Sequence, residues 1–201
     1  MATSCTSMAA SRLGCKVPHA VVVMGVSGCG KSAVAAGVAN QLGWRAVDAD
    51  DLHASEAVAR MRAGHALTDD DRAPWLERVG GVLAVASAAQ SGTLVACSAL
   101  RRSYRDRLRA ACPGVRFLFL DGDRAFIAAR MAQRSDHYMP SSLLGSQLRT
   151  LERPGPDEPD VLRLDILQSL DSLVRQACTA LGSADTSAAK PPKEHAHERI
   201  R

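Results

Sequence analysis

Residues 25–32, with the sequence GVSGCGKS, have the types and spacing of a phosphate-binding loop. They fit the pattern G-x-x-x-x-G-K-[ST] at every fixed position. Small residues allow consecutive backbone N–H groups to close around a phosphate, and the following helix directs its positive N-terminal end at the anion. In this pattern Lys31 contacts the β- and γ-phosphates of a nucleotide, and the Ser32 hydroxyl is a ligand for Mg²⁺. The stretch therefore predicts a nucleotide site.

Two carboxylates, Asp48 and Asp50, follow the second predicted strand. Their i, i+2 spacing makes both side chains point the same way in an extended chain. One can help to hold Mg²⁺ while the other accepts a proton from a substrate hydroxyl, and the spacing leaves open which does which. The third predicted strand ends in Cys97-Ser98, without the acidic residue that binds the metal in many such proteins. We therefore expect Asp48 and Asp50 to replace it, with an Asp-rich turn or helix cap as the alternative.

Arginines are the candidates for binding a further anionic group. Arg105 follows the third predicted strand, and its planar guanidinium suits a carboxylate or phosphate; a solvated helix face is the alternative. Arg130 and Arg134 flank the polar segment 135–140, which is expected to form a lid that brings positive charge onto a transferring phosphoryl group. Arg134 is the better placed of the two. His137 either binds substrate or caps the next helix.

The elements that must position these residues are short apolar strands alternating with helices. This alternation predicts an α/β fold of three layers, in which a five-stranded parallel sheet has helices on both faces. The loops at the carboxyl ends of the strands then converge on one side, where ligands bind. Asp69, Asp70 and Asp71 are expected to begin a helix after Thr68. The predicted strands are 20–24, 45–48, 93–97, 115–120 and 161–165, and the predicted helices are 33–42, 54–63, 68–90, 103–111, 124–133, 141–152 and 170–181.

Composition limits the function classes. The chain has 201 residues and a net charge of +4, which suits anionic small molecules but lacks the clustered basic stripe and stacking aromatics of a nucleic-acid binder. No apolar run approaches the length needed to span a bilayer. We expect a kinase-type domain over 19–182 with a lid at about 134–141, a flexible leader over 1–18 and a disordered tail over 183–201.

The six cysteines are scattered without a C-x-x-C pair, which favours reduced thiols in a cytoplasmic protein over a zinc site or disulfides. Cys29 lies inside the phosphate-binding loop. A thiol at a helix N-terminus tends toward a lowered pKa, so oxidation sensitivity at Cys29 is a hypothesis to test.

Six segments together resemble the gluconokinases, a family of P-loop small-molecule kinases. The resemblance runs from about residue 22 to residue 181, and it departs from the family pattern between 54 and 66. It implies an adenylate-kinase-like core, usually a homodimer, that phosphorylates the 6-hydroxyl of D-gluconate with MgATP. The segments are MGVSGCGKS (24–32), DADDLH (48–53), LTDDDRAPWL (67–76), CSALRRSYRD (97–106), RSDHYMP (134–140) and LERPGPDEPDV (151–161).

The resemblance also implies roles for single residues. Asp50 is expected to orient and deprotonate the sugar hydroxyl, with Lys31 and the lid arginine Arg134 as its catalytic partners. From the spacing of the residues, and not from the resemblance, Ser32 and Asp48 are the expected metal ligands, with the division of roles between Asp48 and Asp50 still open. The ATP site is expected to comprise Gly28, Cys29, Gly30, Lys31, Ser32, Ala33, Arg130 and, beside the adenine, Gln168. The gluconate pocket is expected to comprise Asp50, His53, Arg60, Arg105 and His137.

Two alternatives are kept. A shikimate-kinase-like or nucleotide kinase would use the same scaffold but fits the DDDRAPWL block (69–76) less well. A nucleotide-dependent switch without turnover would need base-reading N-K-x-D and D-x-x-G motifs, and neither is present where needed.

Overall fold

Strand β1 lies at the centre of the sheet, and all five of its residues are apolar and buried. The sheet has the order β2-β3-β1-β4-β5, and every neighbouring pair is parallel. The predicted fold class is thereby confirmed, and each predicted strand is correct to within one residue. The strands are β1 (Ala20–Met24), β2 (Arg45–Asp48), β3 (Thr93–Ala96), β4 (Arg116–Asp121) and β5 (Val161–Asp165).

Seven α-helices and one 3₁₀ turn connect and cover the strands in the part of the chain that the structure, a computed structural model, describes: residues 18–63, 65, 67–132 and 141–182. Most of the predicted leader, lid and tail lie outside these residues. The helices are α1 (Lys31–Leu42), α2 (Ser55–Arg62), α3 (Asp69–Ala88), α4 (Arg102–Ala111), α5 (Arg124–Ala132), α6 (Ser141–Thr150) and α7 (Leu170–Ala180), and the 3₁₀ turn is Ala49–Leu52.

The two faces of the sheet build two separate hydrophobic cores. Successive side chains of a strand point to opposite faces, so Val21 and Val23 pack in the core shared with α1 and α7. Val22 and Met24 pack in the other core with α3 and α4. A strand buried on both faces has to be apolar throughout. This requirement explains why β1 shows no alternation of polar and apolar residues.

The carboxyl edge of the sheet is where the candidate residues gather. β1 lies between β3 and β4, so the loop that leaves β1 opens onto the crevice where the strand order changes direction. The backbone N–H of Gly25 donates to the Ser98 carbonyl oxygen, 3.2 Å away, and so joins this loop to the one that leaves β3. Among the described residues, no helix is long and apolar enough to cross a membrane.

Candidate active site

The phosphate-binding loop passes directly into α1. The residue before the helix is Gly30, with φ 103°, and no side chain of the described residues caps the helix start. Gly28 also has a positive φ, and a Cβ there would lie 2.5 Å from Cγ of Met131. Both positions therefore require glycine. The first N–H groups of a helix have no intrahelical acceptor, so the start of α1 has the features of an anion site.

Lys31 is the first residue of α1. Its Nζ donates to the Val26 carbonyl oxygen at 3.1 Å, which folds the side chain back over its own loop. Lys31 is also the only lysine between residues 17 and 189. A nucleotide phosphate bound to the loop would therefore meet the ammonium group at the position where the pattern predicts it.

Ser32, Asp48 and Asp50 form one hydrogen-bonded chain at the edge of the sheet. The Ser32 hydroxyl donates to Oδ2 of Asp48 at 2.9 Å. The other carboxylate oxygen of Asp48 accepts from the backbone N–H of Asp50 at 3.1 Å. A hydroxyl beside one carboxylate suits Mg²⁺, which is commonly bound by one or two protein oxygens together with substrate phosphates. The donor set at Ser32 and Asp48 therefore fits the expected metal, and Asp50 lies next to it.

Asp50 has a perturbed carboxyl group. Burial raises its pKa above the ordinary value, and the neighbouring charge of Asp48 raises it further, while Lys31 and His53 act in the opposite direction. A carboxylate with a raised pKa is a stronger base than an exposed one. A perturbed group beside a nucleotide loop is typical of a general base.

Helix α3 holds the turn that carries Asp50. The indole Nε1–H of Trp75 donates to the Ala49 carbonyl oxygen at 2.7 Å, and Arg78 Nε donates to the Leu52 carbonyl oxygen at 2.6 Å. The Trp75 ring also stacks on His53, with centroids 4.6 Å apart and planes within 7°. Burial lowers the pKa of His53, so its imidazole is neutral at pH 7. Trp75 and Arg78 thus hold the backbone of the turn on both sides of Asp50, and this fixes where its carboxylate lies.

His53 keeps an unused polar atom in this arrangement. Its Nδ1 is buried and has no hydrogen-bond partner among the described residues. Such atoms are uncommon in folded proteins. The role of His53 in substrate binding remains a prediction, and its place between Asp50 and Trp75 is compatible with it.

A cavity of about 380 Å³ adjoins the loop, and Cys29 and Gly30 form part of its wall. Its walls are largely apolar, with contributions from Phe126, Ile166 and Leu173, and the polar residues Arg130 and Gln168 also line it. An apolar cavity with few polar groups is the usual form of a site for a planar ring. Five of the predicted ATP-site residues, Cys29, Gly30, Ala33, Arg130 and Gln168, line this cavity, whose character suits adenine.

Arg105 is the site prediction that the structure corrects. Its side chain is 1% exposed, and Nε and Nη2 bind the carboxylate of Glu158 at 2.7 and 2.5 Å. Nη1 donates to the carbonyl oxygens of Ala99, Leu100 and Glu152. A guanidinium with these partners holds α4 against the loop before β5. It is not part of a gluconate pocket.

Replacing Arg105 with methionine is expected to lower the free energy of unfolding by about 3 kcal/mol, because breaking a buried ion pair leaves a desolvated charge. Arg109 still contacts Glu158 at 2.7 Å, so we expect a loss at the lower end of the range of about 3–5 kcal/mol for breaking a buried ion pair. The measurement is urea unfolding, with the exposed Arg107→Met on the same helix as the control. Equal stability of the two variants would contradict the structural role.

The same pair gives a pH dependence. Hydrogen bonds from Arg105 hold the pKa of Glu158 at about 2, below the ordinary 4.5. A depressed carboxyl pKa stabilises the fold above the unfolded-state value, and this stabilisation is lost as the pH falls from about 4.5 toward 2. In Arg105→Met we expect a smaller loss of stability across that window.

The remaining candidates have mixed outcomes. Arg60 binds Asp71 at 2.7 Å, where Asp71 and Thr68 form the predicted capping box at the start of α3. Its role toward substrate stays a prediction. Arg134 and His137 lie outside the described residues.

Cys29 does not have the lowered pKa suggested by its position. Its side chain is fully buried, and burial raises the pKa of the thiol. The hypothesis of an easily oxidised Cys29 is therefore wrong in its physical premise, since reactivity requires the thiolate.

Gln147 was missed by the sequence analysis. Its Oε1 accepts a hydrogen bond from the backbone N–H of Ser27, at 2.6 Å, within the phosphate-binding loop. The two residues are 120 positions apart, and Gln147 lies in α6 without any motif of its own. The segment 151–161 that resembles the family begins after the end of α6, and no sequence pattern indicates a contact between α6 and the loop.

Replacing Gln147 with leucine is expected to weaken MgATP binding about fivefold, because one hydrogen bond that orders the loop is worth about 1 kcal/mol. The measurement is the dissociation constant for MgATP, with the exposed Arg149→Gln of the same helix as control. An unchanged affinity in Gln147→Leu would show that this contact does not organise the nucleotide site.

Comparisons with known proteins agree with this geometry. The AAA domain family model matches residues 21–154. The chain is similar to the thermosensitive gluconokinase of Escherichia coli (strain K12), with 41% identity over 160 residues, 80% of this chain and 86% of that protein. It is 46% identical over 149 residues to the gluconokinase of Gluconobacter oxydans (strain 621H), covering 74% of this chain and 83% of that protein. The crystal structure of a gluconokinase from Sinorhizobium meliloti 1021 has a TM-score of 0.75 and 45% identity, covering 83% of this chain and 93% of that one.

Proposed function

The chain belongs to the gluconokinase family, and we propose that it transfers the γ-phosphoryl group of ATP to the 6-hydroxyl of D-gluconate. The observation that supports this most directly is the pair of hydrogen bonds that links Ser32, Asp48 and Asp50 beside the phosphate-binding loop. In this proposal Ser32 and Asp48 hold the metal, and the adjacent Asp50 is the basic carboxylate that transfer to a hydroxyl requires. The relatives named as gluconokinases supply the identity of the acceptor.

The reaction forms a bond between O6 of gluconate and the γ-phosphorus, and it breaks the bond between that phosphorus and the oxygen that bridges to the β-phosphate. Asp50 accepts the O6 proton, and ADP leaves with the bridging oxygen. No covalent enzyme intermediate is required, because the acceptor is itself the nucleophile. Catalysis then consists mainly of positioning and of neutralising charge.

The remaining residues have supporting roles in this proposal. Lys31 and the backbone N–H groups from Gly28 to Ala33 hold the phosphates, with Arg130 beside them and Gln168 at the adenine. Arg134 supplies positive charge from the lid. Ser32 and Asp48 would hold Mg²⁺, which when bound neutralises charge on the phosphate oxygens. His53 contributes to the acceptor pocket, together with Arg60 and His137.

The resemblance also implies a homodimer, and the scattered cysteines favour the cytoplasm; we include both in the proposal. The described cysteines Cys29, Cys97 and Cys112 are buried free thiols, which suits a reducing compartment. Light scattering coupled to size-exclusion chromatography tests the dimer, for which a monomer mass at micromolar protein would be the contrary result.

The experiment for the function is a coupled ADP-release assay with MgATP and a panel of acceptors. The panel contains D-gluconate, other sugar acids, shikimate and nucleoside monophosphates. We expect turnover with D-gluconate to exceed that with any other member. Turnover confined to shikimate or a nucleotide would replace the proposed acceptor, and ATP binding without any turnover would favour a nucleotide-dependent switch.

A further inference from the structure

Two hydrogen-bond donors, from α4 and the residue before it, and one further guanidinium, from α3, converge on the carboxylate of Asp69. The hydroxyl of Tyr104 donates to Oδ1 at 2.5 Å, and Nη1 of Arg101 donates to Oδ2. Nη1 of Arg72 lies 3.7 Å from Oδ1 and 3.4 Å from the Tyr104 hydroxyl. The cluster, which we call the Asp69 cluster (Asp69, Arg72, Arg101, Tyr104), already binds one carboxylate.

The charges of the Asp69 cluster do not cancel. Two guanidinium groups share one carboxylate, which leaves one positive charge. On α4, by comparison, Arg102 pairs with Asp157, and Arg109 pairs with Glu158 and Asp160. The Asp69 cluster is also open to solvent, since the side chains of Arg72 and Arg101 are 31% and 40% exposed, against 1% for Arg105. An accessible excess of guanidinium charge suits a carboxylate ligand.

The Asp69 cluster lies on the same side of the molecule as the reacting carboxylate. Arg72 lies within electrostatic range of His53, and Asp50 acts on the same imidazole. Arg72 is also one helical turn before Trp75, which stacks on His53. Arg101 is three residues after Ser98, which accepts the hydrogen bond from Gly25 in the phosphate-binding loop.

From this arrangement we propose that Arg72, Arg101 and the Tyr104 hydroxyl form the subsite for the carboxylate of the acceptor. This inference rests on the proposed function and supplies the cationic residue of the pocket that Arg105 was expected to provide. Asp69 holds the donors together when no acceptor is bound. The subsite gives the enzyme its preference for a sugar acid over the corresponding alcohol, because the alcohol leaves the excess positive charge unpaired.

The test compares Arg72→Gln and Arg101→Gln with the wild-type chain, and uses Arg116→Gln, at the amino end of β4, as the matched control. Equilibrium binding of D-gluconate is measured by calorimetry, so the result does not depend on turnover. We expect about 10- to 100-fold weaker binding in both variants, the range for a hydrogen bond to a charged group, with unchanged affinity for MgATP. Unchanged affinity for D-gluconate would overturn the proposal.

A second readout separates recognition from a structural role. For each protein, kcat/KM is measured with D-gluconate and with D-glucitol, which carries a hydroxyl where gluconate carries its carboxylate. We expect the acid-to-alcohol preference to fall at least about tenfold in the arginine variants, since only the acid loses a charged partner. An equal loss for both acceptors would contradict the subsite. A wild-type chain that binds D-gluconate without phosphorylating it would contradict the proposed function alone, and the binding comparison would still decide the subsite.

Discussion

Replacing Lys31 with methionine is expected to lower kcat/KM for phosphoryl transfer about 100- to 1,000-fold, the usual cost of removing one preorganised group that stabilises developing charge. The ammonium group is the protein's cation on the loop, and it donates a hydrogen bond to the Val26 carbonyl oxygen at 3.1 Å. Losing that partly buried hydrogen bond should lower the free energy of unfolding by only about 1 kcal/mol. The measurement is ADP release under saturating acceptor, together with thermal unfolding of both proteins.

Lys31→Arg is the informative companion. A guanidinium keeps the charge but is planar and larger than a compact ammonium, so we expect it to restore little activity. Because Lys31 is the only lysine between residues 17 and 189, an amine-directed reagent followed by peptide mass spectrometry provides an independent check. Labelling of Lys31 should fall when ATP is present. Full activity in Lys31→Met would contradict the placement of Lys31 at the phosphates. So would labelling of Lys31 in the wild type that is the same with and without ATP.

Replacing Asp50 with asparagine is expected to lower kcat about 100- to 10,000-fold, the contribution typical of a general base, while MgATP still binds. The control is Asp51→Asn, an exposed neighbour on the same 3₁₀ turn, which should keep kcat within a few fold. Activity in Asp50→Asn close to that of the control would show that the acceptor needs no base from this residue.

The raised pKa of Asp50 adds two expectations. The base works only when ionised, so kcat of the wild-type enzyme should fall with decreasing pH at a value above the ordinary 3.8 of an aspartate. A raised pKa also means that the folded state binds this proton more tightly than the unfolded state, so the ionised carboxylate lowers stability above the unfolded-state pKa. Asp50→Asn should therefore be at least as stable as the wild type at pH 7. A loss of activity with retained stability is the signature of a functional residue.

Local pattern was sufficient to predict the scaffold, the phosphate-binding loop and the proximity of Ser32 to Asp48. The strand β1 and the glycines of the loop are specified by their own types, because a strand buried on both faces must be apolar and Gly28 and Gly30 need positive φ. The pairing of Ser32 with Asp48 followed from the rule that loops at the carboxyl ends of parallel strands meet. These features depend on residues that are close in sequence or fixed by topology.

Contacts between residues far apart in the chain could not be predicted from local sequence patterns. Arg105 was chosen for its chemistry, but its partner Glu158 is 53 residues away, and burial of the pair follows from how α4 packs against the loop before β5. Its position next to Tyr104 and three residues before Leu108, both buried, was the available signal for the inner face of α4. The contact between Gln147 and Ser27 and the raised pKa of Cys29 likewise depend on tertiary packing.

The central claim is that this chain phosphorylates the 6-hydroxyl of a sugar acid, and the most direct measurement is identification of the product. D-gluconate is incubated with MgATP and the wild-type chain, with Lys31→Met as the blank, and the product is analysed by ³¹P–¹H correlation NMR. The account predicts a phosphate monoester coupled to the two protons on C6, formed in equal amount with ADP. A phosphate on another carbon, or ADP released without a phosphorylated acid, would contradict it.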